Sequence, residues 1–195
     1  MFTTFEAKKN TFYRLKNDPW INWRVLVSKC NKQLFKQLEN RGTSDDKARC
    51  LIIDETDFEK KTYKTEHVGK IWSHVRHPRF FGFKGLFLGY WDGKSFFSLD
   101  FSLHKEKGKD KKKPYGLKAK QRKKQYSKQR DKSSSGKKRE GELLIDKISV
   151  AISMIKKAVK QGIKVDYMLM DSWFFCEKFL QLAASINTDI VPWER

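Results

Sequence analysis

The sequence predicts an α/β fold, with parallel strands packed under amphipathic helices. Two short apolar runs, 50–53 and 167–170, each end in an aspartate, Asp54 and Asp171. Between them lie a β-hairpin signal, a strongly basic stretch and apolar residues at helical spacing. Because strands and helices alternate in this order, a sheet with helices packed on it is the favoured architecture.

The N-terminal part is predicted to be helical. Apolar residues from Pro19 to Leu38 recur at helical spacing, and a turn-rich break follows at 40–46. We therefore divide the chain into an N-terminal helical segment, 1–45, and an α/β domain, 46–195. The run 50–53 is interpreted as a buried strand that ends at Asp54.

A β-hairpin is predicted after this first strand. Two β-rich runs, 82–91 and 94–103, are joined by Asp92 and Gly93, both of which tolerate positive φ. The second run alternates apolar and polar residues, so that one of its faces is expected to be buried. Its apolar members are Phe97, Leu99, Phe101 and Leu103.

The C-terminal part is predicted to be helix, strand and helix. Apolar residues recur every three or four positions from Leu144 to Val159, and Gly162 is expected to end this helix. The strand 167–170 follows and ends at Asp171, and a second helix is expected from about 174 to 184. The apolar face of the first helix is expected to comprise Leu144, Ile148, Ile152, Ile155 and Val159.

The charge of the chain is concentrated in one stretch. The formal net charge is +20, and 104–140 holds 17 Lys/Arg against 4 Asp/Glu with almost no aliphatic residues. Such a stretch is expected to be a flexible, loosely helical insertion. Its cations are predicted to contact DNA phosphates, although a solvated segment without a partner is the alternative. The candidate DNA-binding residues are Lys111, Lys112, Lys113, Arg122, Lys123, Lys124, Lys137, Lys138 and Arg139.

Composition also bounds the partners and the compartment. The excess of positive charge favours nucleic acid over an acidic membrane surface, because no apolar run is long enough to span a bilayer. The start of the chain lacks the pattern of a signal peptide. Three widely spaced cysteines argue against a disulfide framework. We therefore expect a cytoplasmic protein, not a membrane protein.

The two strand-ending aspartates are the candidates for chemistry. Asp54 and Asp171 are far apart in the sequence, but the carboxyl ends of parallel strands meet at one edge of an open α/β sheet. Two neighbouring carboxylates suit Mg²⁺ or Mn²⁺, and such ions can serve phosphodiester chemistry. Alternatively, each aspartate caps a turn, and spacing alone does not exclude Glu55, Asp57 or Asp166 as the ligands.

Several short motifs, in a fixed order, carry a resemblance to a known family. LIIDETD at 51–57 resembles the first-acid motif of bacterial insertion-sequence DDE transposases, and MLMDSWF at 168–174 resembles their second-acid motif. Other segments resemble the same family between about Phe12 and Leu182. They are FYRLKNDP at 12–19, INWR at 21–24, IWSHV at 71–75 and GFKGLFL at 82–88.

This resemblance implies a ribonuclease H-like mixed sheet flanked by helices, with Asp54 and Asp171 as the catalytic and metal-binding acids. The implied reaction is metal-dependent cutting of element-end DNA and its joining to a target, with Mg²⁺ or Mn²⁺. Expected partners are DNA and, as in the full-length family, other copies of the chain; the expected location is the nucleoid. The family's third acid is a glutamate on a later helix, and Glu194 is a poor substitute. We thus expect a domain that is incomplete at its C-terminal end, with little strand-transfer activity.

Two other functions remain open at this stage. The chain could be a basic nucleic-acid-binding protein in which both aspartates are structural. It could also be a different two-metal nuclease on the same fold. Metal binding separates the first alternative from a transposase, and the DNA products separate the second.

Overall fold

The computed structural model describes residues 8–39, 47–74 and 77–193. The expected turn at 40–46 and Glu194 lie outside these residues. Two helices come first, and six strands and four further helices follow in the order β1–β2–β3–β4–α3–α4–α5–β5–α6–β6. The helices are α1 Lys9–Asn17, α2 Trp23–Glu39, α3 Ala119–Lys123, α4 Ser135–Glu142, α5 Lys147–Lys160 and α6 Glu177–Ser185. The strands are β1 Cys50–Glu59, β2 Gly69–Trp72, β3 Arg79–Trp91, β4 Phe96–His104, β5 Tyr167–Asp171 and β6 Asp189–Trp193.

The strands form one mixed sheet, as the fold-class prediction requires. Its order is β2–β3–β1–β5–β6, with β4 also paired to β3. β1 is antiparallel to β3 but parallel to β5, and β5 is parallel to β6. The parallel half is reached through α5 and α6, since a parallel strand cannot follow its neighbour through a tight turn.

The core lies between one face of the sheet and the helices α2, α5 and α6. Leu51 and Ile53 of β1 and Met168 and Met170 of β5 are buried beneath α5. Phe35 of α2 contacts Tyr90 and Phe97 edge to face. From α5 and α6 the core receives Val150, Ala151, Met154, Ile155, Ala158, Phe179, Leu182 and Ala183.

The predicted apolar face of α5 is only partly correct. Ile155 is fully buried, but Leu144 is exposed and precedes the helix, which begins at Lys147. Asp146 starts the helix because its carboxylate accepts hydrogen bonds from the backbone N–H and the hydroxyl of Ser149. The buried face is therefore centred on Ala151, Met154 and Ile155, with small residues where the helix approaches the sheet.

The hairpin prediction is confirmed, but the predicted apolar face of β4 is only partly correct. Leu99 is buried and Phe97 packs against the core, whereas Phe101 and Leu103 lie on the opposite face. β3 and β4 pair on both sides of the Asp92–Gly93 turn, where Gly93 has φ +93. A β-bulge between Leu88 and Gly89 shifts the register. As a result, polar side chains of β4 lie buried towards α2 and α5, each with hydrogen-bonding partners. They are Asp100, Ser102 and His104.

One predicted strand is longer than expected, and one strand was missed. β1 does not end at Asp54 but runs on to Glu59, because β3 is long enough to pair with it as far as Gly82. β6 was not predicted, because its sequence contains Pro192 and shows no alternation of apolar and polar residues. It forms because the chain after α6 pairs in parallel with the free edge of β5, from Asp189 opposite Tyr167 to Trp193 opposite Asp171.

The basic insertion, 104–140, is held against the rest of the domain by specific contacts, although its composition predicts flexibility. Arg130 forms an ion pair with Glu66, and the backbone N–H of Lys128 donates to the same carboxylate. The backbone N–H of Tyr126 donates to the carbonyl oxygen of Lys64, and Leu117 is buried. A few acidic and apolar contacts are therefore enough to anchor a segment that has no core of its own.

Candidate active site

The two predicted acids lie on neighbouring parallel strands. The register pairs Ile53 with Met170, so that Asp54 and Asp171 are the next pair along β1 and β5. Neighbouring strands are about 4.8 Å apart, and register partners in a parallel ladder project from the same face. The fold therefore brings together two residues that are 117 positions apart in the sequence.

Hydrogen bonds from the backbone orient each carboxylate. Asp54 Oδ1 accepts the backbone N–H of Glu55 at 2.8 Å. Asp171 Oδ1 accepts the backbone N–H of Trp173 at 3.0 Å, in the 3₁₀ turn Ser172–Phe174 that follows β5. Asp171 thus caps the turn that follows β5, whereas Asp54 lies inside β1 and its carboxylate bonds the next residue of the same strand.

The acids stand on the face of the sheet opposite α5. In register with Asp54 are Phe87 of β3 and then Phe101 of β4, while Trp193 of β6 is in register with Asp171. Alternate residues on this face remain partly exposed, including Phe58 and Tyr167. A substrate can therefore approach the acids from this side.

The neighbouring acids that spacing could not exclude have other partners. Glu55 and Asp57 point to the α5 face, where the buried ammonium of Lys84 lies 3.1 Å and 2.8 Å from their carboxylates. Asp166 forms an ion pair with Arg49 at 3.0 Å. These contacts favour Asp54 and Asp171 over the three alternatives.

The pKa shifts of Lys84 and Asp57 agree with this separation of the ion-paired acids from the candidate metal ligands. Burial alone would lower the pKa of Lys84, but hydrogen bonds to Asp57 and the charge of Glu55 outweigh burial and raise it. Burial would likewise raise the pKa of Asp57, yet hydrogen bonds from Lys84 and Ser73 lower it. Lys84 and Asp57 are therefore charged together, and with the Glu55 carboxylate at 3.1 Å they form a structural ion cluster.

Sequence reasoning missed Lys147, which lies beside the candidate site. Its ammonium forms an ion pair with Glu55 and sits 4.5 Å from the ring centroid of Trp173. The signal that could have found it is Asp146 followed by Ser149, which marks the start of α5 and places Lys147 in its first turn.

The donor set at Asp54 and Asp171 fits a hard divalent cation by its chemistry, because carboxylate oxygens are the ligands that Mg²⁺ and Mn²⁺ prefer. It is small, however. Among residues 8–39, 47–74 and 77–193, no group of three or more His, Cys, Asp and Glu is arranged to hold a metal ion. The described part of the chain thus supplies a pair of acids, not a complete cage.

A wide groove of about 680 Å³ borders the same face of the sheet, at the β4 side. It lies between the α1–α2 connection, the basic insertion and β4. Arg139 packs over the Phe101 ring at 4.7 Å and also donates to the carbonyl of Phe101. Tyr126 is 64% exposed at the rim. The remaining cations of the lining are Lys16, Arg24, Lys128 and Arg130.

The candidate DNA-binding residues differ in their surroundings. Most are exposed, namely Lys111, Lys112, Lys113, Arg122, Lys123, Lys124, Lys137 and Lys138. Arg139 is partly buried and forms an ion pair with Glu142 at 3.1 Å. Lys137 lies 3.0 Å from Glu140. The exposed members can reach a phosphate without breaking a buried contact, whereas Arg139 has a structural role.

A mixed sheet with a long antiparallel arm, and with acids at matching positions of the central parallel strands, defines a ribonuclease H-like nuclease domain. The chain belongs to the DDE superfamily endonucleases, since the model of that family matches residues 6–192. It therefore carries a transposase- or nuclease-type domain whose substrate is DNA. Neither a curated protein nor a solved structure matches the chain.

The helices were compared with what a membrane-spanning segment requires. None within the described ranges combines the length and the apolar character that crossing a bilayer requires.

Proposed function

We propose that this protein is a DDE transposase that cleaves DNA at the ends of a bacterial insertion sequence and transfers the strands, with Asp54 and Asp171 as catalytic, metal-binding acids. The observation that carries the proposal is their shared position on β1 and β5, on one face of the sheet. The family match supports it, because endonucleases of this superfamily act on DNA. Such a protein works on the nucleoid, in the bacterial cytoplasm.

The metal ion would be Mg²⁺ or Mn²⁺, held by Asp54 and Asp171. When bound, it supplies activation of the attacking hydroxyl and stabilisation of the leaving oxygen. The chain itself contributes carboxylates whose orientation is set by the backbone N–H groups of Glu55 and Trp173. The exposed lysines of the insertion and the groove beside Phe101 would hold the DNA backbone. Further copies of the chain would join the assembly in transposition.

Calorimetric titration with Mn²⁺ tests the proposal. We expect Asp54→Asn and Asp171→Asn each to weaken binding at least about tenfold, because two carboxylates share the ion. Asp189→Asn is the matched control. Asp189 lies on β6 opposite Tyr167, on the same face but about 13 Å along the strands from Asp171. Equal heats for the wild type and both site variants would refute the metal site.

Because the described residues supply a pair of acids and no third ligand beside them, we propose that metal binding is weak and that strand transfer is slow. DNA products distinguish the reaction classes. Joined strands support a transposase, while hydrolysed ends alone support another two-metal nuclease. Metal-dependent joining by the purified chain that is lost in Asp54→Ala would contradict the expectation of low activity.

The second candidate is a non-catalytic, basic DNA-binding protein. It is favoured by the backbone hydrogen bonds that both acids accept, within β1 for Asp54 and in the turn after β5 for Asp171, which give each aspartate a structural role. It predicts DNA binding that is unchanged by Mn²⁺ and by Asp54→Asn.

A further inference from the structure

One lysine contacts the residues that orient both acids. Glu55 donates its backbone N–H to Asp54, and Trp173 donates its backbone N–H to Asp171. The ammonium of Lys147 forms an ion pair with the Glu55 side chain and lies over the Trp173 ring at 4.5 Å. The contacts thus form a continuous path from one candidate acid to the other.

The surroundings of Lys147 hold its ammonium in this place. The Glu55 carboxylate also accepts from the buried Lys84, which keeps it on the α5 face. Trp173 packs edge to face on the buried Phe174 at 4.9 Å between ring centroids. Lys147 is in the first turn of α5, whose start is set by the Asp146 cap. Both partners and the helix are therefore anchored to the core.

We propose that Lys147 is a positioning residue, which ties the first and second acids together so that both carboxylates face one metal ion. The inference rests on the proposed function, because it assigns the acids a shared ligand. Residues outside the ligand shell that orient the ligands typically change metal affinity by 10- to 100-fold.

The direction of the change in Mn²⁺ affinity distinguishes a positioning role of Lys147 from simple repulsion between its charge and the cation. If Lys147 only repelled the cation, the Lys147→Met variant would bind Mn²⁺ more tightly than the wild type. A positioning lysine gives the opposite result, since the two carboxylates lose their common orientation. We expect Lys147→Met to weaken Mn²⁺ binding about tenfold although it removes a positive charge. Lys147→Arg, which keeps the ion pair and the ring contact, should restore most of the affinity.

A metal-free measurement tests the same inference independently. Amide hydrogen exchange reports the N–H groups of Glu55 and Trp173, which point at the two acids. We expect Lys147→Met to speed exchange at both amides together. Trp173→Leu removes the ring contacts of a half-exposed side chain, with Lys147 and with Phe174, and keeps the Lys147–Glu55 ion pair; it serves if Lys147→Met lowers the melting temperature too far. Lys156→Met, an exposed lysine on the same helix, is the control and should leave both measurements unchanged.

The outcomes are distinct for the two proposals. If the wild type binds no Mn²⁺, the proposed metal site fails, and the exchange data still decide whether Lys147 couples the two turns. If the wild type binds Mn²⁺ but Lys147→Met binds as tightly or more tightly, the positioning role is overturned. Unchanged exchange at either amide overturns it as well.

Discussion

At the scale of single residues, the most consequential side chain outside the candidate site is Lys84. It is 3% exposed on β3 and lies between Glu55 and Asp57 of β1. A buried cation of this kind is tolerated only because carboxylates compensate its lost hydration. It also keeps Glu55 on the face opposite Asp54, so that a structural ion cluster and a candidate metal site occupy opposite sides of one strand.

Lys84→Met should destabilise the fold by roughly 3 kcal/mol, since it leaves two carboxylates in the sheet without their shared cation. Urea unfolding followed by circular dichroism measures the change. Lys157→Met is the control. Lys157 is 43% exposed and 3.9 Å from Asp100, so its loss should cost less than about 1 kcal/mol. Equal effects of the two substitutions would show that burial of the Lys84 cluster contributes nothing.

At the scale of elements, the insertion 104–140 is anchored mainly by charge. Arg130 pairs with Glu66 and lies 3.8 Å from Glu140, and Lys128 donates its backbone N–H to Glu66. The pKa of Glu66 is lowered to about 2, and the hydrogen bond from Arg130 makes the largest contribution to this shift. The charged part of this anchor, the ion pair between Arg130 and Glu66, therefore holds only while the Glu66 carboxylate is ionised.

This anchor predicts a specific dependence on pH. Because the pKa of Glu66 is lower in the folded protein than its usual 4.5, its contribution is complete above about pH 4.5 and is lost as the pH falls towards 2. Glu66→Gln should lower the unfolding free energy at neutral pH by on the order of 1 kcal/mol. Thermal melts between pH 7 and pH 2.5 measure the difference from the wild type, which should shrink on acidification.

Glu177→Gln, at an exposed helix start, is the control for this experiment. A Glu66→Gln difference that stayed constant down to pH 2.5 would contradict the ion pair as the anchor of the insertion.

At the scale of the whole molecule, the distribution of charge matters more than its total. The formal net charge is +20, and cations of the insertion, Lys128, Arg130 and Arg139, line the groove on the β4 side of the domain. The acids stand on the same face of the sheet, separated from Phe101 by β3. This arrangement supports a DNA path from the insertion across the sheet to Asp54.

Replacing Lys111, Lys112 and Lys113 together by glutamine should weaken DNA binding and reduce its salt dependence. Each lost phosphate contact lowers the slope of log affinity against log salt by about 0.9, so a decrease of about 1 to 3 is expected. Fluorescence anisotropy with labelled duplex DNA at several salt concentrations measures it. The matched control replaces three lysines of α5, Lys156, Lys157 and Lys160. A slope that is unchanged by the insertion variant argues for a solvated segment.

The sequence by itself determined the elements that local pattern controls. The strand before Asp171, the hairpin at Asp92 and Gly93, and the helix ending near Gly162 follow from turn chemistry and periodicity, which act over a few residues. The motifs around Asp54 and Asp171 also indicated the family, which the match over residues 6–192 bears out.

Only the tertiary structure decided what depends on pairing between distant segments. The extension of β1 to Glu59 depends on the length of β3, and the buried polar side of β4 depends on a bulge. β6 requires the free edge of β5, and the contacts of Lys147 with Glu55 and Trp173 join three elements. The physical reason is that strand register and buried ion pairs are set by partners far away in the chain, which no local pattern of residues specifies.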